Sequence, residues 1–136
     1  MHHDVVADWH ALLASDDLSR LDAMLAEDAV FHSPVVHTAQ RGKALVTMYL
    51  TAAAQVLLAS GFHYVREVVG PSDAVLEFEA EIGGVHINGI DMFHWNADGK
   101  IDDFKVMIRP LKAVNLLHRM MTEMIAAMSG QTGPHS

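Results

Sequence analysis

The chain has 136 residues, 51% of them hydrophobic, with seventeen acidic against nine basic side chains and a formal net charge of −8. That length suits one domain and buries a sizeable core without covalent staples. The absence of cysteine excludes disulfides, thiolate metal sites and cysteine nucleophiles, and the acidic balance argues against nucleic acid and anionic membrane surfaces as partners.

Met1-His2-His3-Asp4 shows no basic segment ahead of an apolar run, so no signal peptide is expected. The most apolar stretch, Ala44 to Ala59, is interrupted by Thr47, Tyr49, Thr51 and Gln55 and reads as a buried helix. A cytoplasmic protein is the expectation. Val5, Trp9, Leu12 and Leu13 recur at helical spacing, and Ser15-Asp16-Asp17 breaks the helix and caps the next one. That second, short helix carries Leu18, Leu21, Met24 and Leu25 on one side. Ala29 to Ser33 reads as a short strand stopped by Pro34. A long helix is expected over Lys43 to Ser60, ended by Gly61.

From Phe62 the period changes. Ala74, Leu76, Phe78, Ala80 and Ile82 alternate with Val75, Glu77, Glu79 and Glu81, giving one apolar face and one largely acidic, solvated face. Gly70-Pro71-Ser72-Asp73 turns into this strand and Gly83-Gly84 turns out of it. The next strand runs from about Val85 to Trp95, and Asn96-Ala97-Asp98-Gly99 leads to the last, Lys100 to Arg109. Three consecutive hairpins make an antiparallel meander. Pro110 then opens a helix with Val114, Leu117, Met121, Met124, Ile125 and Met128 along one side. A single domain over residues 1–128 and a flexible tail over 129–136 are expected.

Helices followed by long strands imply an α+β domain in which the helices cover the apolar face of the sheet. Strong curvature would leave a hollow that Ala52, Ala53 and Ala54 are too small to fill. Asp91 is the most informative residue in the chain. By period two it shares a face with the apolar Ile87, Phe93 and Trp95, where an ionised carboxylate is costly unless it is hydrogen-bonded or paired. Desolvation raises such a group toward the range useful for proton transfer; the bland alternative is a structural Asp satisfied by a nearby donor.

The order of elements, with Gly89-Ile90-Asp91-Met92-Phe93-His94-Trp95-Asn96-Ala97-Asp98-Gly99-Lys100-Ile101, resembles the SnoaL-like branch of the nuclear transport factor two-like superfamily. Trp9 in the first helix, Asp28-Ala29-Val30-Phe31 and the Gly42-Lys43 helix opening carry the same likeness. The resemblance implies a cone-shaped curved antiparallel sheet wrapped around N-terminal helices, with a C-terminal helix, an apolar pocket at the wide end and a homodimer through the sheet. Relatives include polyketide cyclases, ketosteroid isomerases and limonene epoxide hydrolases, among which fold does not assign chemistry. It implies Asp91 as acid or base. Arg109 falls where the epoxide hydrolases place a second Asp, so that branch of chemistry is not expected.

Arg109 is nonetheless the natural partner for Asp91, as an oxyanion stabiliser. Strict alternation sets it with Asp103, Lys105 and Met107, away from the apolar face, so only a bulge or end-of-strand twist brings it inward. His32 is a candidate base, with a satisfied structural histidine as the alternative. Phe31, Tyr49, Phe93, Trp95 and Phe104 are candidate pocket-lining residues, and the C-terminal methionines a pliable lid or an interface. His86 and His94 lie about 26 Å apart at strand rise, too far to share a metal; no metal and no cofactor is expected. The functional expectation is a small apolar organic ligand carrying a carbonyl or hydroxyl, with isomerisation, cyclisation or dehydration by Asp91. The alternative is a non-catalytic ligand-binding or dimerisation module.

Overall fold

The computed structural model describes residues 4–15, 17–58 and 61–128; the expected tail at 129–136 lies outside them. The architecture is α+β. Helix α1 (Val5–Ala14) is capped by Asp4, whose carboxylate accepts from the Ala7 amide at 3.0 Å, and buries Val5, Val6, Trp9 and Leu12. A 3-10 helix (Leu18–Met24) follows, with Asp17 accepting from the Ser19 amide. It leads into β1 (Leu25–His32), a longer strand than the composition of Ala29 to Ser33 suggests. The two-residue β2 (Gln40–Arg41) precedes α2 (Lys43–Leu57), which begins at Gly42 with φ +101°, a backbone angle that glycine tolerates best.

The meander is β3 (His63–Val69), β4 (Asp73–Ile82), β5 (Val85–Trp95) and β6 (Ile101–Arg109), and α3 (Leu111–Met128) closes the chain. Gly83 and Gly84, at φ +55° and +82°, form the β4–β5 turn, where both positions need a left-handed backbone. The six strands lie in the order β2-β1-β6-β5-β4-β3, and all pair antiparallel except β1 with β6. The sheet is curved and open, and its concave face receives α1 and α2.

Two irregularities set which side chains face the core. Ile101 pairs with Trp95 and Asp103 with His94, so Asp102 is an extra residue that lets Ile101, Phe104 and Val106 all turn inward. Tyr64 pairs with Phe78 and Arg66 with Glu77, so Val65 is the extra residue on β3 and Tyr64 turns inward. At Gly89 an added Cβ would sit 2.6 Å from both the Met107 carbonyl oxygen and Phe78 Cζ. The missing side chain therefore lets β6 and the Phe78 ring close over β5.

The core joins Trp9, Leu12, Phe31, Val46, Leu50, Phe78, Phe93 and Phe104 in one cluster. Phe93 and Phe104, opposite each other on β5 and β6, stack with centroids 5.3 Å apart and planes 6° apart. Trp9 packs on both at 5.8 and 5.1 Å. Aromatic pairs at such spacings add stability beyond simple area burial.

Candidate functional site

Asp91 is the one charged side chain in the buried set of the described residues, with 7% of its surface exposed. It lies on β5 between the inward Gly89 and Phe93, paired across β4 with Leu76 and across β6 with Val106. Its Oδ2 accepts a 2.6 Å hydrogen bond from the Tyr64 hydroxyl. Tyr64 stands two strands away, and its length carries the phenol over β4 to the carboxylate. Trp9 Nε1 donates in turn to the Tyr64 oxygen at 2.9 Å. The indole, the phenol and the carboxylate thus form a directed relay from α1 through β3 to β5.

Burial and hydrogen bonding oppose each other at Asp91. Loss of solvent raises its pKa from 3.8 to about 7, although the Tyr64 donor works to lower it. A carboxyl in this state can accept a proton and return it near neutral pH. Tyr64 is pushed the other way from usefulness as an anion: burial first, then the nearby Asp91 charge, raise its phenol far above the usual tyrosine range. It is a neutral donor throughout.

A hollow of about 50 Å³ adjoins these groups. Asp91 and Tyr64 supply its polar edge, while Trp9, Leu50, Phe62 and Phe104 form apolar walls. Ala53 and Ala54 of α2 also border it, because small residues there leave the space beneath the helix unfilled. Behind Tyr64, His10 contacts Glu67 and stands edge-on to the Tyr64 ring at 5.3 Å.

The structure separates the other sequence-derived candidates from this site. Arg109 does not reach Asp91. The bulge in β6 lies at the opposite end of the strand, so alternation holds from Asp103 onward and Arg109 stays on the outer face, exposed, donating to Asn88 Oδ1 at 3.3 Å. His32 also points outward, its Nε2 3.1 Å from Asp103 Oδ2. Phe31 is buried and stacks on the half-buried Tyr49 at 5.9 Å, and neither borders the Asp91 hollow. Phe93 and Trp95 pack in the core beside it, 6.0 Å apart. Phe104 alone of the five lining candidates forms its wall.

Tyr64 and the role of Trp9 are what the sequence leaves hidden. Tyr64 sits in a strand whose remaining positions are mostly exposed, and only the bulge at Val65 turns it inward. A phenol two residues after Phe62, in a chain with two tyrosines, is the available signal. Among the described residues, no group of three or more His, Cys, Asp or Glu is arranged to hold a metal. No helix of the described residues is long and apolar enough to cross a membrane.

Comparison with solved structures gives the same arrangement of elements. A steroid delta-isomerase from Pseudomonas aeruginosa is similar over 93% of this chain and 92% of its own, at 37% identity and a TM-score of 0.87. An uncharacterized bacterial protein with a cystatin-like fold from Silicibacter pomeroyi shares 33% identity over 89% of this chain and 84% of its own, with a TM-score of 0.81. An epoxide hydrolase/cyclase-like enzyme of salinomycin pyran-ring formation shares the fold at 18% identity and a TM-score of 0.62, over 78% of this chain and 88% of its own. A search of curated protein sequences finds no significant match. Residues 6–104 match the profile of the SnoaL-like domain, and with that span and these relatives the chain belongs to the SnoaL-like family.

Proposed function

We propose that the chain is an acid/base enzyme that moves a proton on a small, largely apolar carbonyl compound, with Asp91 as the proton carrier. The observation that supports this most is a buried carboxyl, poised to titrate near pH 7, beside an apolar hollow and held by one directed donor. A structural Asp would be expected to have several donors. Among the described residues, the Asp91 side chain takes the Tyr64 bond.

The chemistry follows from the relay. Ionised Asp91 removes a proton from the carbon next to the carbonyl, and the electron pair shifts to the carbonyl oxygen as an enolate. Once Asp91 is protonated its oxygen no longer needs the Tyr64 hydrogen, and the hydroxyl turns to donate to the enolate oxygen. Trp9 Nε1–H, donating to that same phenol oxygen, polarises the hydroxyl and strengthens it as a donor. Asp91 then returns the proton to a different carbon, which shifts a double bond, or to the same one, which exchanges it. Tyr64 takes the oxyanion role that the sequence assigns to Arg109. The likeness to a steroid delta-isomerase is consistent with double-bond migration as the reaction class.

The test uses a β,γ-unsaturated ketone, followed by the absorbance of its conjugated product, and exchange of its α-protons in deuterated water. Asp91→Asn should lower either rate by a factor of roughly 10² to 10⁴, the usual contribution of a positioned acid or base. A variant that keeps the wild-type rate would overturn the reading.

The chain also pairs with a second copy through the outer face of the sheet. Val68 is 62% and Met107 48% exposed there, beside the half-buried Val75, Ile90 and Met92. One apolar face of the meander is used by the core, and this apolar strip on the other is the surface a partner sheet would cover.

A further inference from the structure

A second hollow of about 30 Å³ lies under α3. Ala53 and Leu57 of α2 and Val106 of β6 border both hollows, so these three side chains are the partition between them. The far hollow is walled by Phe31, Val35, Ile108, Leu117 and Met121, with Ser33 at its edge, where the hydroxyl oxygen already accepts from the Val35 amide at 3.1 Å. The two share the inward side of β6. Phe104 belongs to the first, Val106 to both and Ile108 to the second, a run of roughly 13 Å at strand rise.

The spaces are therefore strung end to end, with polar groups at one end and hydrocarbon at the other. Both are narrow, far below the 300–1,000 Å³ or so of a pocket that encloses a bulky ligand. The partition is weakest at Ala53, whose methyl is the smallest of the three side chains. The far end is closed by Leu117 and Met121, and a methionine can change rotamer to lengthen the space.

We propose that the two hollows are one slot for a slim, unbranched aliphatic carbonyl compound, with its carbonyl at Tyr64 and Asp91 and its chain running past Ala53 to end against Met121. This rests on the carbonyl-binding role of Tyr64 and Asp91 argued above, and it names the substrate class as straight-chain rather than fused-ring.

Isothermal titration of the full chain with straight-chain methyl ketones, from pentanone to undecanone, tests it. Affinity should rise roughly fourfold for each added methylene and then level off once the slot is filled. Ala53→Leu should abolish the gain for the longer ketones, so that its affinities no longer rise with chain length. Met121→Ala should move the plateau to a longer chain, and it serves as the independent variant should Ala53→Leu fail to fold. Affinity that is flat with chain length in the wild type, or a chain-length gradient that survives unchanged in Ala53→Leu, would overturn the slot. Asp91→Asn separates the two readings. A chain-length gradient that survives in this variant, with no proton exchange by the wild type, removes the catalytic reading alone. Exchange without a gradient removes the slot alone.

Discussion

Asp91 has an energetic signature that does not depend on knowing a substrate. Its carboxyl titrates near 7 in the folded chain and near 3.8 when unfolded. Between those values the folded state holds a proton that the unfolded state has lost, so stability falls as pH rises through this window and flattens above about 7. The difference amounts to about 4 kcal/mol. Asp91→Asn should erase this component: the melting temperatures of wild type and variant should converge near pH 4 and diverge in the variant's favour toward pH 8. Subtracting the two profiles cancels other groups, including His94, whose pKa is raised chiefly by its hydrogen bond to Asp102. Tyr64→Phe removes the donor that lowers Asp91, so the carboxyl moves further upward. In a pH–rate profile the ascending limb of kcat/KM should then shift from about 7 to higher pH, as expected for a base that must be ionised.

At the scale of elements, the bulges and Gly89 matter more than any propensity. Because β5 alternates without interruption, Gly89 and Asp91 face the same side, and the missing Cβ at one lets strands and rings close around the other. Gly89→Ala forces a methyl to within 2.6 Å of a backbone carbonyl on β6, which cannot swing aside as a side chain could. A loss of about 1–3 kcal/mol, the usual cost of overpacking a core, is expected in urea denaturation. The bulge at Val65 has the opposite character, since it costs a ladder position and in return aims Tyr64 at Asp91.

Across the whole molecule, the two sides of the sheet divide the work. The concave side, closed by α1 and α2, holds the aromatic cluster and the hollows. The outer side carries His86 on Glu79 at 2.5 Å, His94 on Asp102 at 2.6 Å, and His32 on Asp103, between apolar residues. Replacing Ile90 by Lys at the middle of that face should leave the fold intact, because the position is outward, and convert the proposed dimer to monomer in sedimentation equilibrium. A wild type that already sediments as a monomer would end the pairing proposal.

The order of elements was legible because it rests on local periodicity. Alternation over Ala74 to Ile82, the turn glycines at 83 and 84 and the helical stripe of Val5, Trp9, Leu12 and Leu13 each need only neighbours in the chain. Asp91 was legible for the same reason, since a carboxylate among inward positions stands out against a period of two. Even the outward face of Arg109 followed from strict alternation; its expected pairing with Asp91 required a bulge at one end of β6, and the extra residue lies at the other, at Asp102.

What local pattern could not supply was the partner of that carboxylate. Tyr64 and Trp9 are 27 and 82 positions distant from Asp91 in the chain, and they meet only because the sheet curves and α1 lies across it. The hollow is of the same kind, space left where α2 presents alanines to a strand it reaches through the tertiary fold. Amino-acid order alone determined which faces would be buried, because burial follows from the spacing of apolar residues. Only the folded chain decided which buried groups touch, because contact between distant segments depends on strand register, bulges and sheet curvature.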